Sequence, residues 1–311
     1  MLPIFSAIIP VFALIFVGNM LRRAPIFSDQ FWDGLNKLGF YVLYPALLFA
    51  TIYRADFGGL STGLSGLVFG FALTVMAGIT LAAWPMFKRA GLPGPRYSSV
   101  FQSTIRWNGF IALAVAEKLY PPEALAMVAL VMSVIIIPIQ LSCVTVILLF
   151  SDQEGEKPKL ARKLATNPLL LAVAFALVAR ALPFTIPAFA MDTLDLVARS
   201  ALGMGLLAIG AGLRLHDLRH PALSSALPIV LKLIALPALV YVCGRMAGLP
   251  LDDLNYLVLC ACVPTAMNGY VLAKELGGDA PFYAAVATMQ TAIAFISMPL
   301  VLAAAAALSG G

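Results

Sequence analysis

ALAMVALVMSVIIIPIQLSCVTVILLF, residues 124–150, runs for 27 positions without an Asp, Glu, Lys or Arg. As an α-helix rising about 1.5 Å per residue it would reach roughly 40 Å, more than the ~30 Å hydrocarbon core of a bilayer. A run of this length and purity reads as a transmembrane helix. Outward from it, apolar segments recur at about 3–21, 35–53, 60–84, 101–120, 168–187, 195–213, 222–246, 254–275 and 280–308. Most are long enough to cross once, and the longer ones tilt or project. The fold class expected is therefore an all-α polytopic membrane protein with ten transmembrane helices. Segments 35–53, 101–120 and 254–275 are the least regular, because they contain charge, proline or clustered glycine.

Composition excludes the soluble alternatives. Of 311 residues, 61% are hydrophobic and 11% charged, where a soluble chain carries about 45–50% and about 25%. A mean hydropathy of +0.96 leaves too little polar surface to face water, a need that lipid removes. The net charge of +5 does not indicate nucleic acid, since the basic residues sit in short groups between apolar runs. Cys143, Cys243, Cys260 and Cys262 all fall in apolar segments, with no spacing of a metal or redox site. Arg22 and Arg23 follow the first apolar segment, whereas a signal peptide places its charges before it. A retained first helix is expected.

Lys and Arg set the orientation. With ten crossings, Arg22, Arg23, Lys37, Lys88, Arg89, Arg96, Lys157, Lys159, Arg162, Lys163, Arg214, Arg219 and Lys274 share one side. Arg54, Lys118, Arg180, Arg199 and Arg245 share the other. Thirteen against five places both termini on the non-cytoplasmic side of the membrane. Residues 151–167 become a central cytoplasmic loop.

That loop divides two similar halves, residues 1–150 and 168–311. Pro10 leads through Arg22 to Pro25, and Pro168 leads through Arg180 to Pro183 at the same spacing. Pro45 precedes Arg54 by the interval that separates Gly205 from Arg214. Trp107-Asn108-Gly109-Phe110 in the fourth segment parallels Met267-Asn268-Gly269-Tyr270 in the ninth. Two repeats of five crossings, an odd number, must be inverted relative to one another. Inverted repeats are a recurring construction of secondary transporters.

Polar chemistry gathers in the same two segments. Gln102, Thr104, Arg106, Asn108, Gln140, Lys232, Thr265, Asn268, Thr288, Gln290 and Thr291 all lie within predicted spans. Pro264 removes an amide donor and Gly269 weakens the helix further. Backbone opened at membrane depth is tolerated only against protein or a water-filled cavity. The fourth segment has Asn108 and Gly109 but no proline matching Pro264. Arg106 costs at least about 2.5–3.5 kcal/mol inside hydrocarbon and needs a cavity or partner. Its guanidinium suits a carboxylate; snorkelling to the interface is the plainer alternative. Lys232 lies nearer mid-span and is a second anion contact, a charge partner or a proton-carrying group. Tyr41, Tyr44, Trp32 and Trp84 are expected in interfacial belts. No metal-ligand constellation, phosphate loop or catalytic triad is legible, and neither a cofactor nor an enzymatic activity is expected.

Pro45-Ala46-Leu47-Leu48-Phe49, Arg106-Trp107-Asn108-Gly109 and Pro264-Thr265-Ala266-Met267-Asn268-Gly269, in that order, resemble the auxin efflux carrier family in its bacterial branch. That branch includes proteins named as malonate or malate permeases. The resemblance implies a bile-acid symporter-like architecture in which broken helices 4 and 9 cross. It also implies a dimerising scaffold of helices 1, 2, 6 and 7 beside a moving domain of helices 3–5 and 8–10. The missing fourth-segment proline departs from the two-proline pattern of the plant members.

The function expected is secondary active transport of small organic anions, mono- or dicarboxylates, by alternating access, coupled to H+ or Na+. The substrate-binding set is Arg106, Asn108, Gly109, Pro264, Thr265, Asn268, Gly269, Lys232 and Gln290. A channel-like or ligand-sensing membrane protein is the alternative. The partners are the anion, the lipid bilayer and a second copy of the chain.

Overall fold

Prolines mark where several helices of this chain widen or break, as the computed structural model makes plain. It describes residues 2–54, 62–151, 166, 168–183, 185–214, 216 and 223–309. Apart from Ser151 and Thr166, the loop expected at 151–167 lies outside the described residues. In chain order the helices are α1 (Leu2–Arg23), α2 (Asp29–Leu38), α3 (Tyr44–Arg54), α4 (Thr62–Ala82), α5 (Trp84–Arg89), α6 (Gly94–Ile105), α7 (Gly109–Leu119) and α8 (Pro122–Phe150). They continue as α9 (Pro168–Ala181), α10 (Ala188–Gly212), α11 (Ala226–Val230), α12 (Leu236–Met246), α13 (Leu251–Cys262), α14 (Gly269–Leu276) and α15 (Ala280–Ser309). There is no strand among the described residues.

Two π-helical turns, Gly39–Leu43 and Leu231–Ala235, join α2 to α3 and α11 to α12. Each ends two residues before a proline, Pro45 or Pro237. A proline ring has no N–H and meets the carbonyl four residues back. Widening the preceding turn makes room for the ring without ending the helix.

Among the described residues seven helices are long and apolar enough to cross a membrane, which makes the chain a polytopic membrane protein. The other three apolar segments differ for visible reasons. Segment 101–120 is divided between α6 and α7, with 12 and 11 residues. Segment 254–275 is divided between α13 and α14, with 12 and 8. Segment 168–187 is helical over the 14 residues of α9, fewer than the roughly 20 a full span needs.

The helices pack in two groups. In the first, α1 lies on α10, α10 on α3 and α3 on α9. Glycine permits the closest of these approaches: an added Cβ at Gly210 would fall 1.8 Å from the Ile15 carbonyl oxygen, and one at Gly18 2.1 Å from that of Leu207. Small residues let helix backbones meet inside a membrane, where packing replaces the hydrophobic drive. Asn19 Nδ2 then donates to the carbonyls of Gly210 (3.1 Å) and Leu213 (2.9 Å), pairing the end of α10. Arg54 with Asp195, and Arg180 with the Ile52 and Tyr53 carbonyls, tie α3 to α10 and α9.

The second group contains α4, α6–α8 and α11–α15. Arg96 pairs with Asp279 at 2.8 Å, joining the start of α6 to the start of α15. The two groups meet where α1 lies on α7 and α15, and α3 on α8. Ring contacts line this seam: Tyr44 on Phe110 at 3.9 Å and Phe12 on Phe295 at 5.3 Å. Tyr44 therefore does not belong to a lipid-facing belt. Trp32 lies against Phe27 and Phe31, and Trp84 packs on Tyr97 and Phe150. Tyr41 is exposed. Trp32 is buried while Tyr44 and Trp84 are half-buried, and all three rings pack on other aromatic rings, which an amphipathic ring does as readily as it faces headgroups.

Candidate functional site

Two helix breaks face one another at the centre of the second group. In the ninth segment the cause is Pro264. With no N–H at position 264, the carbonyl of Cys260 four residues back loses its helical partner. The Trp107 indole N–H donates to that carbonyl instead. The Pro264 carbonyl in turn accepts the Asn108 backbone N–H at 3.1 Å. Each break thus satisfies backbone groups that the other exposes.

The fourth segment breaks without a proline. Arg106 N–H still bonds the Gln102 carbonyl at 2.8 Å, but Arg106 itself turns extended (φ −64°, ψ 151°). Asn108 then caps α7, its side-chain oxygen accepting from Ile111 N–H at 3.3 Å, as asparagine commonly does at a helix start. Gly109 and Gly269 open the two following helices. A Cβ at Gly109 would lie 2.9 Å from Met132 and from Trp107, and one at Gly269 2.3 Å from the Tyr283 ring. Gly269 is needed for this packing, since the Tyr283 ring is held by its own hydrogen bonds, whereas at Gly109 the Met132 tip and the Trp107 ring would have to shift. The α7 and α14 N-termini bring their positive dipole ends to this region.

Arg106 is 5% exposed. Its Nε donates to Gln102 Oε1 at 3.2 Å, Nη1 to Asn268 Oδ1 at 3.1 Å and Nη2 to Gln140 Oε1 at 3.1 Å. All three acceptors are neutral amides. The ion pairs found among the described residues, Arg22–Asp29, Arg54–Asp195 and Arg96–Asp279, do not include Arg106. The guanidinium is held in position and its charge is left unbalanced, which is the electrostatic requirement for receiving an anion. Arg106 is not snorkelling: it reaches inward to α8 and to the ninth-segment break.

The remaining expected site residues divide by what they touch. Asn268 joins Arg106 and is exposed. Asn108 and Pro264 join each other through backbone. Thr265 N–H donates to Gln290 Oε1 at 2.9 Å, and Gln290 Nε2 donates to the carbonyls of Ser103 (3.0 Å) and Pro228 (2.9 Å). Gln290 is therefore a strut that ties α15 to α6, α11 and the ninth-segment break. Gln290→Leu strands the Thr265 N–H and the Ser103 carbonyl and should cost about 2 kcal/mol or more. A thermal melt in detergent, with Thr291→Val as a neighbouring control, measures this loss.

Lys232 lies apart from the Arg106 contacts. It is fully buried in the second π-turn, facing the Cys260 and Cys262 thiols, and its Nζ has no hydrogen-bond partner among the described residues.

Two contributors escaped the sequence reading. Tyr283 donates to the Ala266 carbonyl at 2.6 Å and meets Thr265 Oγ1 at 2.9 Å, bracing the ninth-segment break. Arg214, just past α10, bridges the two helix groups. Its backbone N–H donates to Thr288 Oγ1 at 3.0 Å, and its guanidinium lies over Tyr270 while donating to that hydroxyl at 3.3 Å. An exposed Arg at a helix end gives no local signal of such a partner.

Comparison with known proteins shows what the chain is similar to. A family model described as "Membrane transport protein" matches residues 3–302. An Escherichia coli (strain K12) protein named "Uncharacterized transporter YfdV" is 26% identical over 285 residues, covering 86% of this chain and 87% of its own. An "Uncharacterized transporter" of Methanothermobacter thermautotrophicus is 24% identical over 301 residues, covering 95% and 96%. A Rhizobium meliloti protein named "Putative malonate transporter" is 26% identical over 309 residues, covering 89% and 88%.

Proposed function

This chain belongs to the membrane transport protein family, the auxin efflux carrier family that its motifs resemble, and on that premise we propose that it is a secondary carrier of small organic anions, mono- or dicarboxylates. The observation that carries the reading is Arg106: a buried guanidinium fixed by three neutral amides, with no carboxylate among its described partners. A carboxylate arriving there supplies the missing negative charge. Asn268, exposed and already bonded to Arg106, is the approach to it.

In this reading the chain crosses the inner membrane ten times, as two inverted repeats over 1–150 and 168–311 with a cytoplasmic loop at 151–167. Both termini lie on the non-cytoplasmic side. The broken fourth and ninth segments are the crossing pair. The group of α1–α3, α9 and α10 is the scaffold, through which two copies dimerise. The other group carries the site past it, driven by an H+ or Na+ gradient. An apolar seam suits such a movement, because sliding one apolar surface along another exposes few unpaired polar groups. The Arg214 bridge to Thr288 and Tyr270 must open as the groups shift.

Uptake into proteoliposomes tests the reading, with malonate, acetate and succinate as substrates and pH and sodium gradients imposed separately. The expected result is saturable uptake of at least one carboxylate that follows one of the two gradients. Folded, reconstituted protein that moves none of them under either gradient would sink the proposal.

A further inference from the structure

Beside Arg106 stands a donor that nothing among the described residues uses. Gln102 is fully buried on the last turn of α6. Its Oε1 must be the atom facing Arg106, since a guanidinium only donates; the amide Nε2 is then fixed as the other atom. That Nε2 has no hydrogen-bond partner among the described residues. A buried amide N–H without an acceptor is costly, and native proteins seldom leave one.

The guanidinium itself is in a similar condition. It offers five N–H donors, of which the three amide oxygens occupy three. The Cys143 thiol, a weak acceptor, also lies against it. At least one donor of Arg106 and the Gln102 amide therefore remain unused on residues one turn apart at the same helix end. A carboxylate has two oxygens and about four acceptor positions, enough to take both.

Resting on the carrier reading above, we propose that Gln102 is a binding residue in its own right, its amide donating to the carboxylate that Arg106 pairs with. The ligand class is a planar carboxylate whose two oxygens are shared between the guanidinium and the amide. Gln102 thus has two contacts with opposite polarity: it accepts from Arg106 and donates to the anion.

That polarity makes the role separable from mere positioning of Arg106. Gln102→Glu keeps an acceptor for Arg106 Nε and removes the donor. Gln102→Lys keeps a donor and removes the acceptor, and Gln102→Met removes both. Binding of malonate and of acetate to the full-length protein in detergent is read by isothermal calorimetry, with a thermal melt confirming that each variant is folded. The result expected is a dissociation constant at least tenfold weaker in Gln102→Met, no measurable binding in Gln102→Glu, and binding within a few-fold of native in Gln102→Lys. Native-like binding in a folded Gln102→Met overturns the proposal, as does the reverse order, with Glu binding and Lys not. If the native protein binds neither anion, the carrier reading and this inference fall together. If it binds and the variants do not differ, only the inference falls.

Discussion

Gly210→Ala should leave little folded protein, while Gly203→Ala, seven residues earlier on the same helix, should behave as native. At Gly210 the added Cβ would meet the Ile15 carbonyl oxygen at 1.8 Å and the Asn19 backbone nitrogen at 3.0 Å; at Gly203 it would meet nothing within 4 Å. Both obstructing atoms belong to the α1 backbone, so no rotamer change relieves the clash. The helices must part, which also breaks the bonds from Asn19 to the Gly210 and Leu213 carbonyls. Overpacking alone costs about 1–3 kcal/mol, and the Leu213 carbonyl, stranded without Asn19, adds to it. A total above ~3 kcal/mol is a large share of an ordinary protein's stability. Size-exclusion profiles and melting curves in detergent compare the two. Equal profiles would mean that α1 and α10 are not in backbone contact.

Arg106→Gln should abolish most transport without unfolding the chain. Glutamine can still hydrogen-bond among the three amides, but the charge is gone. A unit pair at 4 Å is worth about 4 kcal/mol at an effective dielectric constant near 20, so uptake efficiency should fall by roughly 10²–10³-fold. Arg106→Lys should fall between, because lysine keeps the charge and loses the planar fork. Initial uptake rates over a substrate range, with the melt as control, measure both. A native rate in Arg106→Gln would assign the guanidinium to structure alone.

Much of the fold was legible because lipid imposes a simple rule: an apolar run near 20 residues is a helix. Pro264 announced the ninth-segment break through its missing N–H, and the paired Asn-Gly steps marked the fourth and ninth segments as irregular. These are local constraints, written within a few residues of where they act. The partners were not legible. That Trp107 would serve the carbonyl orphaned by Pro264, or that Gln140 would hold Arg106, depends on segments brought together only by packing. Gln290 shows the same limit. Its buried amide was visible as unusual, yet its consumption by Thr265, Ser103 and Pro228 could not be read from its neighbours in the chain.

The two π-turns have a consequence for anyone probing these helices one position at a time. An α-helix advances about 100° per residue, so a reporter walked along it alternates between faces with a period near 3.6. A π-turn takes in one more residue before closing. Across Gly39–Leu43 and Leu231–Ala235 the periodic signal should therefore persist but slip in phase by about one residue, roughly 100°. A single helical wheel drawn through residues 29–54 or 226–246 would assign the wrong face to everything beyond the turn.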